Sequence, residues 1–193
     1  MSWEVLGLWI GGYLLGSVPF GLIIAKVWAG VDPRTVGSGN IGATNVARAA
    51  GKAAGVVTLL LDAAKGALPA ALGLWWIGVW AGAGAGLAAF LGHLFPLFLG
   101  FKGGKGVATA LGVLAVIAPW AGLGAVACWV VGTGLSRHVS VGSLLALGSA
   151  PVWVLLKGYD VSVLVMALVM AAGVFWRHKD NIARLREGRE HKL

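Results

Sequence analysis

From Gly66 to Phe101 the chain carries no aspartate, glutamate, lysine or arginine. A helix needs about 20 apolar residues to cross the hydrocarbon core of a bilayer, so this run is too long for one span. A second such run extends from Gly106 to Ser136. Composition agrees. Hydrophobic residues make up 59% and charged residues 11% of the 193 residues, where soluble domains carry about a quarter charged. So few charges cannot clothe a globule. The 32 glycines follow no collagen period, and the chain is too apolar for disorder. Its single cysteine, Cys128, cannot form an intrachain disulfide. The sequence predicts an all-α, polytopic membrane protein.

The net charge of +8 is distributed as topology, not as a nucleic-acid surface. A first apolar run, about 5–25, lies between Glu4 and Lys26, flanks opposite to those of a signal peptide. It is expected to stay as a helix with its N-terminus outside. Sequence 53–76 and 80–99 gives two more spans. Pro119 divides the second charge-free run into 106–118 and 119–136, because proline interrupts helices. Spans 139–156 and 161–176 follow. Seven spans leave loops 27–52, 100–106 and 137–138 and the tail 177–193 on the cytoplasmic side. Every basic residue except Lys65 and Lys157 then faces the cytoplasm. One span fewer would strand Arg137 and the basic tail outside. Trp3, Trp28, Trp75, Trp76, Trp80 and Trp176 near span ends fit an aromatic belt. Glycines at Gly7/Gly11, Gly12/Gly16 and Gly82/Gly84/Gly86 predict close helix contacts. Asp62 and Lys65, three apart inside a span, should pair, since lone charges there are costly.

The chemistry is concentrated in the cytoplasmic loops. The first contains Gly37-Ser-Gly-Asn-Ile-Gly-Ala-Thr-Asn-Val46 and Arg48. Its literal GxGxxG is not a dinucleotide site, for no strand precedes it. Its glycines let backbone approach a ligand beside the donors Ser38, Asn40, Thr44 and Asn45. A helix starting near Ile41 would aim free N–H groups at an anion and set Thr44, Arg48 and Lys52 on one face. The second loop, Phe101-Lys-Gly-Gly-Lys-Gly-Val-Ala-Thr109, lacks Walker A spacing. It still combines small residues able to form a backbone nest, two lysines and a following helix. His93 precedes it, Arg137-His-Val-Ser-Val-Gly-Ser143 forms another turn, and the tail offers His178 and Asn181. No zinc-ligand pattern, GxSxG elbow or His-x4-Asp dyad occurs. Two basic, Gly-rich loops on one face imply two phosphate groups, and the spans offer room for an acyl chain. An anion transporter using Asp62 and Lys65 is the runner-up, but transporters place their sites near the midplane.

These motifs carry a resemblance that runs through the whole chain. Gly16-Ser-Val-Pro-Phe-Gly21, the two loop motifs, Leu61-Asp-Ala-Ala-Lys-Gly66, Gly92-His93, Ser140/Ser143 and His178 with Asn181-Ile-Ala-Arg-Leu185 and Gly188 occur in order. Together they resemble the acyl-phosphate-dependent glycerol-3-phosphate acyltransferases of bacterial membranes, the PlsY family. The resemblance implies seven spans and transfer of a fatty acyl group from acyl-phosphate to the 1-hydroxyl of glycerol 3-phosphate. The products would be lysophosphatidate and phosphate, in an early step of phospholipid synthesis at the bacterial inner membrane. It implies no cofactor or metal and no nucleic-acid partner; membrane lipid and other phospholipid-synthesis enzymes are the expected company. On this reading Ser38, Arg48, Lys105, His178 and Asn181 act in catalysis. Gly39, Asn40, Thr44, Asn45, His93, Lys102, Gly103, Gly104, Gly106 and Ser143 bind substrate. Lys102, Lys105 and the nest at Gly103–Gly106 would hold glycerol 3-phosphate. Ser38, Asn40, Thr44 and Arg48 would hold the acyl-phosphate head. His178 and Asn181 would orient the hydroxyl, with His178, His93 or a substrate phosphate oxygen as base.

Overall fold

The computed structural model describes residues 2–192, which fold into ten α-helices with two single 3₁₀ turns and no strand among them. The helices are α1 Trp3–Gly16, α2 Phe20–Ala29, α3 Ala43–Ala50, α4 Lys52–Trp76 and α5 Val79–Leu94. They continue with α6 Val107–Ile117, α7 Pro119–Ser136, α8 Val139–Leu156, α9 Val161–Arg177 and α10 Lys179–Arg186. Chain breaks fall where local chemistry demands. Pro119 opens α7 in its first turn, where a missing N–H costs nothing. Gly78 (φ 131°) separates α4 from α5, and Asp160 caps α9 by accepting from the Ser162 N–H at 2.8 Å.

The first apolar run is not one helix. Pro19 has no N–H to continue α1, and the chain turns at Ser17-Val18-Pro19 before resuming as α2. The turn is stabilised from a distance: Lys65 on α4 donates to the freed Val18 carbonyl at 2.9 Å. Five segments are long and apolar enough to cross a membrane, the α1–α2 stretch Trp3–Ala29 among them. The α9–α10 pair, bent by 56°, makes a sixth if counted as one. Helix α6 is the exception. Its 11 residues reach only about 16 Å, half a bilayer core.

Buried alanines and a few large side chains, including Phe90, Leu114, Leu147, Met166 and Met170, fill the centre. The outer surface is apolar as well. Leu60, Leu123, Leu135, Val152 and Leu155 all point outward, the arrangement of a bundle dissolved in lipid rather than water.

Close packing relies on glycine at specific crossings. Gly66 of α4 lies against the Thr109 backbone of α6, and Gly112 of α6 against the Ala63 backbone of α4. Gly12 and Gly16 seat α1 on α5, and Gly82, Gly84 and Gly86 face close neighbours too. Gly7 and Gly11 differ: a Cβ there would meet nothing within 4 Å, so they pack no helix. Gly66→Val should therefore lower the unfolding free energy in detergent by about 1–3 kcal/mol. Gly7→Ala should not lower it. Thermal unfolding of the purified variants checks both.

Candidate active site

The first loop is organised by Asn45, one turn inside α3. Its side-chain amide donates to the carbonyls of Pro33 (2.7 Å), Asn40 (2.8 Å) and Val36 (3.0 Å), and its Oδ1 accepts from the Ser38 N–H at 3.0 Å. Left-handed backbone at Gly37 (φ 57°) and Gly39 (φ 67°) lets the loop wrap this one side chain. Asn45 thus shapes the loop through its hydrogen bonds to the backbone while also lining the cavity described below. Gly39 serves the turn and does not line the cavity described below. Asn40 Oδ1 accepts from the Gly42 N–H at 2.8 Å, closing the turn into α3 two residues later than Ile41. Thr44 and Arg48 share a face of α3. Lys52 does not continue it, because Gly51 (φ 94°) ends α3 and Lys52 starts α4.

The second loop is partly occupied by contacts to the protein itself. The Gly104 N–H donates to the His93 carbonyl at 3.1 Å. The carbonyls of Gly104 and Gly103 accept from Arg177, the former from Nε at 2.9 Å. Any side chain at Gly103 would strike the His93 backbone, and at Gly104 the His93 ring. The two glycines permit this close seat, and their carbonyls and the Gly104 N–H face protein. Lys102 is exposed and lines no cavity. Lys105 and Gly106 (φ 80°) do reach the site, and α6 begins beside them.

The elements converge on a cavity of about 340 Å³. Ser38, Asn40, Thr44 and Arg48 come from the first loop and α3, Lys105 and Gly106 from the second loop. Ser140 and Ser143 come from α8, and His178 and Asn181 from the joint of α9 and α10. Leu59, Leu111, Val126, Trp129 and Val139 form an apolar wall. Ser143 Oγ donates to the Val139 carbonyl at 2.9 Å, whereas buried Ser140 Oγ, near Glu190, has no hydrogen-bond partner of good geometry among the described residues. The floor holds Asp62 and His93. Asp62 Oδ1 lies 3.0 Å from Lys65 Nζ and 3.6 Å from His93 Nδ1. The expected Asp62–Lys65 pair is present, with both side chains about 3% exposed or less.

Electrostatics sharpens two roles. Burial, helped by the nearby guanidinium groups of Arg184, Arg48 and Arg177 and opposed by Glu190, lowers the Lys105 ammonium to about 8. Burial and then the Lys105 charge push His178 down to about 4, against the pull of the Val174 carbonyl. That carbonyl lies 2.8 Å from His178 Nδ1 and accepts from its N–H, so the neutral ring leaves Nε2 as an acceptor.

Sequence reasoning missed Glu190. Its carboxylate accepts from Asn181 Nδ2 at 2.5 Å and from Arg184 Nε at 2.8 Å while lining the cavity. Burial would raise its pKa, but these hydrogen bonds more than offset that and hold it below the usual range. The contact joins the tail end to α10, and nothing local in Gly188-Arg-Glu190 announces it. Among the described residues no three His, Cys, Asp or Glu side chains are grouped as metal ligands.

The helical bundle is apolar on its outside and holds a cavity with basic side chains on one side and apolar ones on the other, as an integral membrane protein can. The glycerol-3-phosphate acyltransferase family model matches residues 6–188. A glycerol-3-phosphate acyltransferase of Aquifex aeolicus is 48% identical, over 98% of this chain and all of the relative. One from Anaeromyxobacter dehalogenans is 50% identical over the full length of both. The crystal structure of PlsY, an integral membrane glycerol 3-phosphate acyltransferase, in its glycerol 3-phosphate form superposes with a TM-score of 0.95 at 48% identity. That match covers 98% of this chain and 96% of the other. The lysophosphatidic acid form gives a TM-score of 0.93 at 47% identity, covering 98% and 95%. The chain belongs to the glycerol-3-phosphate acyltransferase family and is an integral membrane acyltransferase of phospholipid synthesis.

The buried pair makes a stability prediction. Asp62→Ala leaves the Lys65 ammonium unpaired and should cost about 3–5 kcal/mol. Adding Lys65→Met should restore only part of that loss, because the Val18 carbonyl then loses its Lys65 donor, measured as the unfolding midpoint of detergent-solubilised protein.

Proposed function

We propose that the chain transfers a fatty acyl group from acyl-phosphate to the 1-hydroxyl of glycerol 3-phosphate, releasing lysophosphatidate and inorganic phosphate. The observation that carries this reading is the two-faced cavity. Arg48, Lys105 and the hydroxyl and amide donors suit two phosphate groups, while Leu59, Leu111, Val126 and Trp129 suit the start of an acyl chain. The glycerol 3-phosphate and lysophosphatidic acid forms of the PlsY neighbour point to the same pair of ligands. An acyl-phosphate is a mixed anhydride with a good leaving group, so positioning and charge stabilisation carry most of the catalysis.

In this mechanism Lys105 and Asn181 hold the glycerol 3-phosphate anion. Ser38, Asn40, Thr44 and Arg48 hold the donor phosphate and the charge that grows on it. His178, neutral at pH 7, accepts from the 1-hydroxyl through Nε2 and orients it. The hydroxyl oxygen attacks the acyl carbon, and the bond from that carbon to the bridging phosphate oxygen breaks. A base with a pKa of about 4 is weaker than the departing phosphate, so the single hydroxyl proton, first shared with Nε2, passes to an oxygen of that phosphate as the bond to the acyl carbon breaks. Asn45 and Gly39 shape the loop that presents these donors.

The same reading places the protein in the bacterial inner membrane with the site facing the cytoplasm, the N-terminus outside and seven membrane passages. Helix α6 then enters as a short, half-length passage beside the site. The side of the membrane is supported by basic residues gathered around the cavity and tail.

Purified protein offered acyl-phosphate, acyl-coenzyme A or acyl carrier protein should form lysophosphatidate from acyl-phosphate alone. Use of a thioester instead would overturn the donor assignment. Arg48→Ala should lower turnover by about 10²–10³-fold without loss of folded protein in the membrane. Lys105 is charged below and neutral above about pH 8, so kcat/KM for glycerol 3-phosphate should fall by up to about tenfold per pH unit above that point. Lys105→Arg, which keeps its charge, should lose that descending limb whatever its absolute rate.

A further inference from the structure

Arg177 ends α9, and its guanidinium does not point into the main cavity. It forks across two successive carbonyls of the second loop, Nε to Gly104 O at 2.9 Å and Nη2 to Gly103 O. The group lies 5.5 Å over the ring of Trp176, which itself packs against Phe95 with ring centroids 5.5 Å apart. From the other side His93 accepts from the Gly104 N–H. The segment is therefore gripped on both faces, and the absence of side chains at 103 and 104 makes the grip possible. Its next residue is Lys105. The residue after Arg177 is His178. One side chain thus ties the element carrying Lys105 to the element carrying His178 and Asn181, over a sequence separation of more than 70 residues.

We propose that Arg177 is a positioning residue that sets the Lys105 ammonium against the anion subsite by clamping the Gly103 and Gly104 carbonyls. This rests on the reading above that Lys105 holds glycerol 3-phosphate. A planar fork fits two neighbouring carbonyls; an ammonium can hold one at a time and is no equal substitute. Releasing the loop lets Lys105 drift, and a displacement of about 1 Å from productive geometry can cost on the order of a hundredfold in rate. Ser38 and Asn40 border a smaller adjoining cavity with Arg177, but the hydrogen bonds of Arg177 go to the second loop alone, so the donor phosphate should feel the clamp less than glycerol 3-phosphate does.

The test compares Arg177→Ala, Arg177→Lys and wild type as folded, detergent-purified proteins. Arg177→Ala should raise KM for glycerol 3-phosphate by about tenfold or more, with KM for acyl-phosphate changed less than about twofold. Arg177→Lys should recover part of the loss. Unchanged KM for glycerol 3-phosphate in Arg177→Ala overturns the proposal. So does an equal loss in both KM values, with a lowered unfolding midpoint and no recovery in Arg177→Lys. Calorimetric titration of glycerol 3-phosphate into resting protein reads the same effect without any donor. If wild type fails to use acyl-phosphate, the donor assignment falls. The clamp is then decided by this titration: weaker binding in Arg177→Ala sustains it, and equal binding overturns it.

Discussion

At three places where the backbone leaves a helix near the site, other groups of the protein take up freed peptide groups. Apolar surroundings offer no water to do so, and an unsatisfied peptide group there costs several kcal/mol. Lys65 meets the Val18 carbonyl at the α1–α2 break, Asn45 gathers three carbonyls and one N–H of the first loop, and Arg177 and His93 hold the second. The irregular segments are consequently fixed, and these fixed segments carry the donors. Catalysis by positioning requires such rigidity.

The same constraint links the ion pair to the site. Lys65 is held by Asp62, whose carboxylate approaches His93, whose carbonyl receives Gly104. A chain of contacts therefore runs from the broken first helix through α4 and α5 to the loop that presents Lys105. Gly66 and Gly112 bring α6 close enough to α4 for its N-terminus to border the cavity.

Much of this was legible in the sequence because it is local. Apolar runs with few or no charges form α4 to α9, Pro119 and Ala118 separate α6 from α7, and Asp62 and Lys65 pair at the spacing of one helix face. Most cavity residues lie in the two loop motifs and the tail that composition singled out. What escaped depends on contacts across the fold. Pro19 is as local a break signal as Pro119, but its satisfaction by Lys65, 47 positions away, is not. Asn45, Gly103 and Gly104 read as ligand groups, since a pattern of small polar residues does not reveal which backbone atoms they meet. Glu190 reads as one charge in a basic tail until its distance to Asn181 is known.

The account stands on a single cavity receiving an anion on one wall and an acyl chain on the other. The most direct measurement is photo-crosslinking with an acyl-phosphate analogue bearing a diazirine near the carboxyl end of its chain, with labelled peptides mapped by mass spectrometry. Labelling of Leu111, Val126 or Trp129 that disappears in Arg48→Ala is the predicted result. Labelling confined to outward-facing residues such as Leu123 and Val130, and indifferent to Arg48, would contradict it.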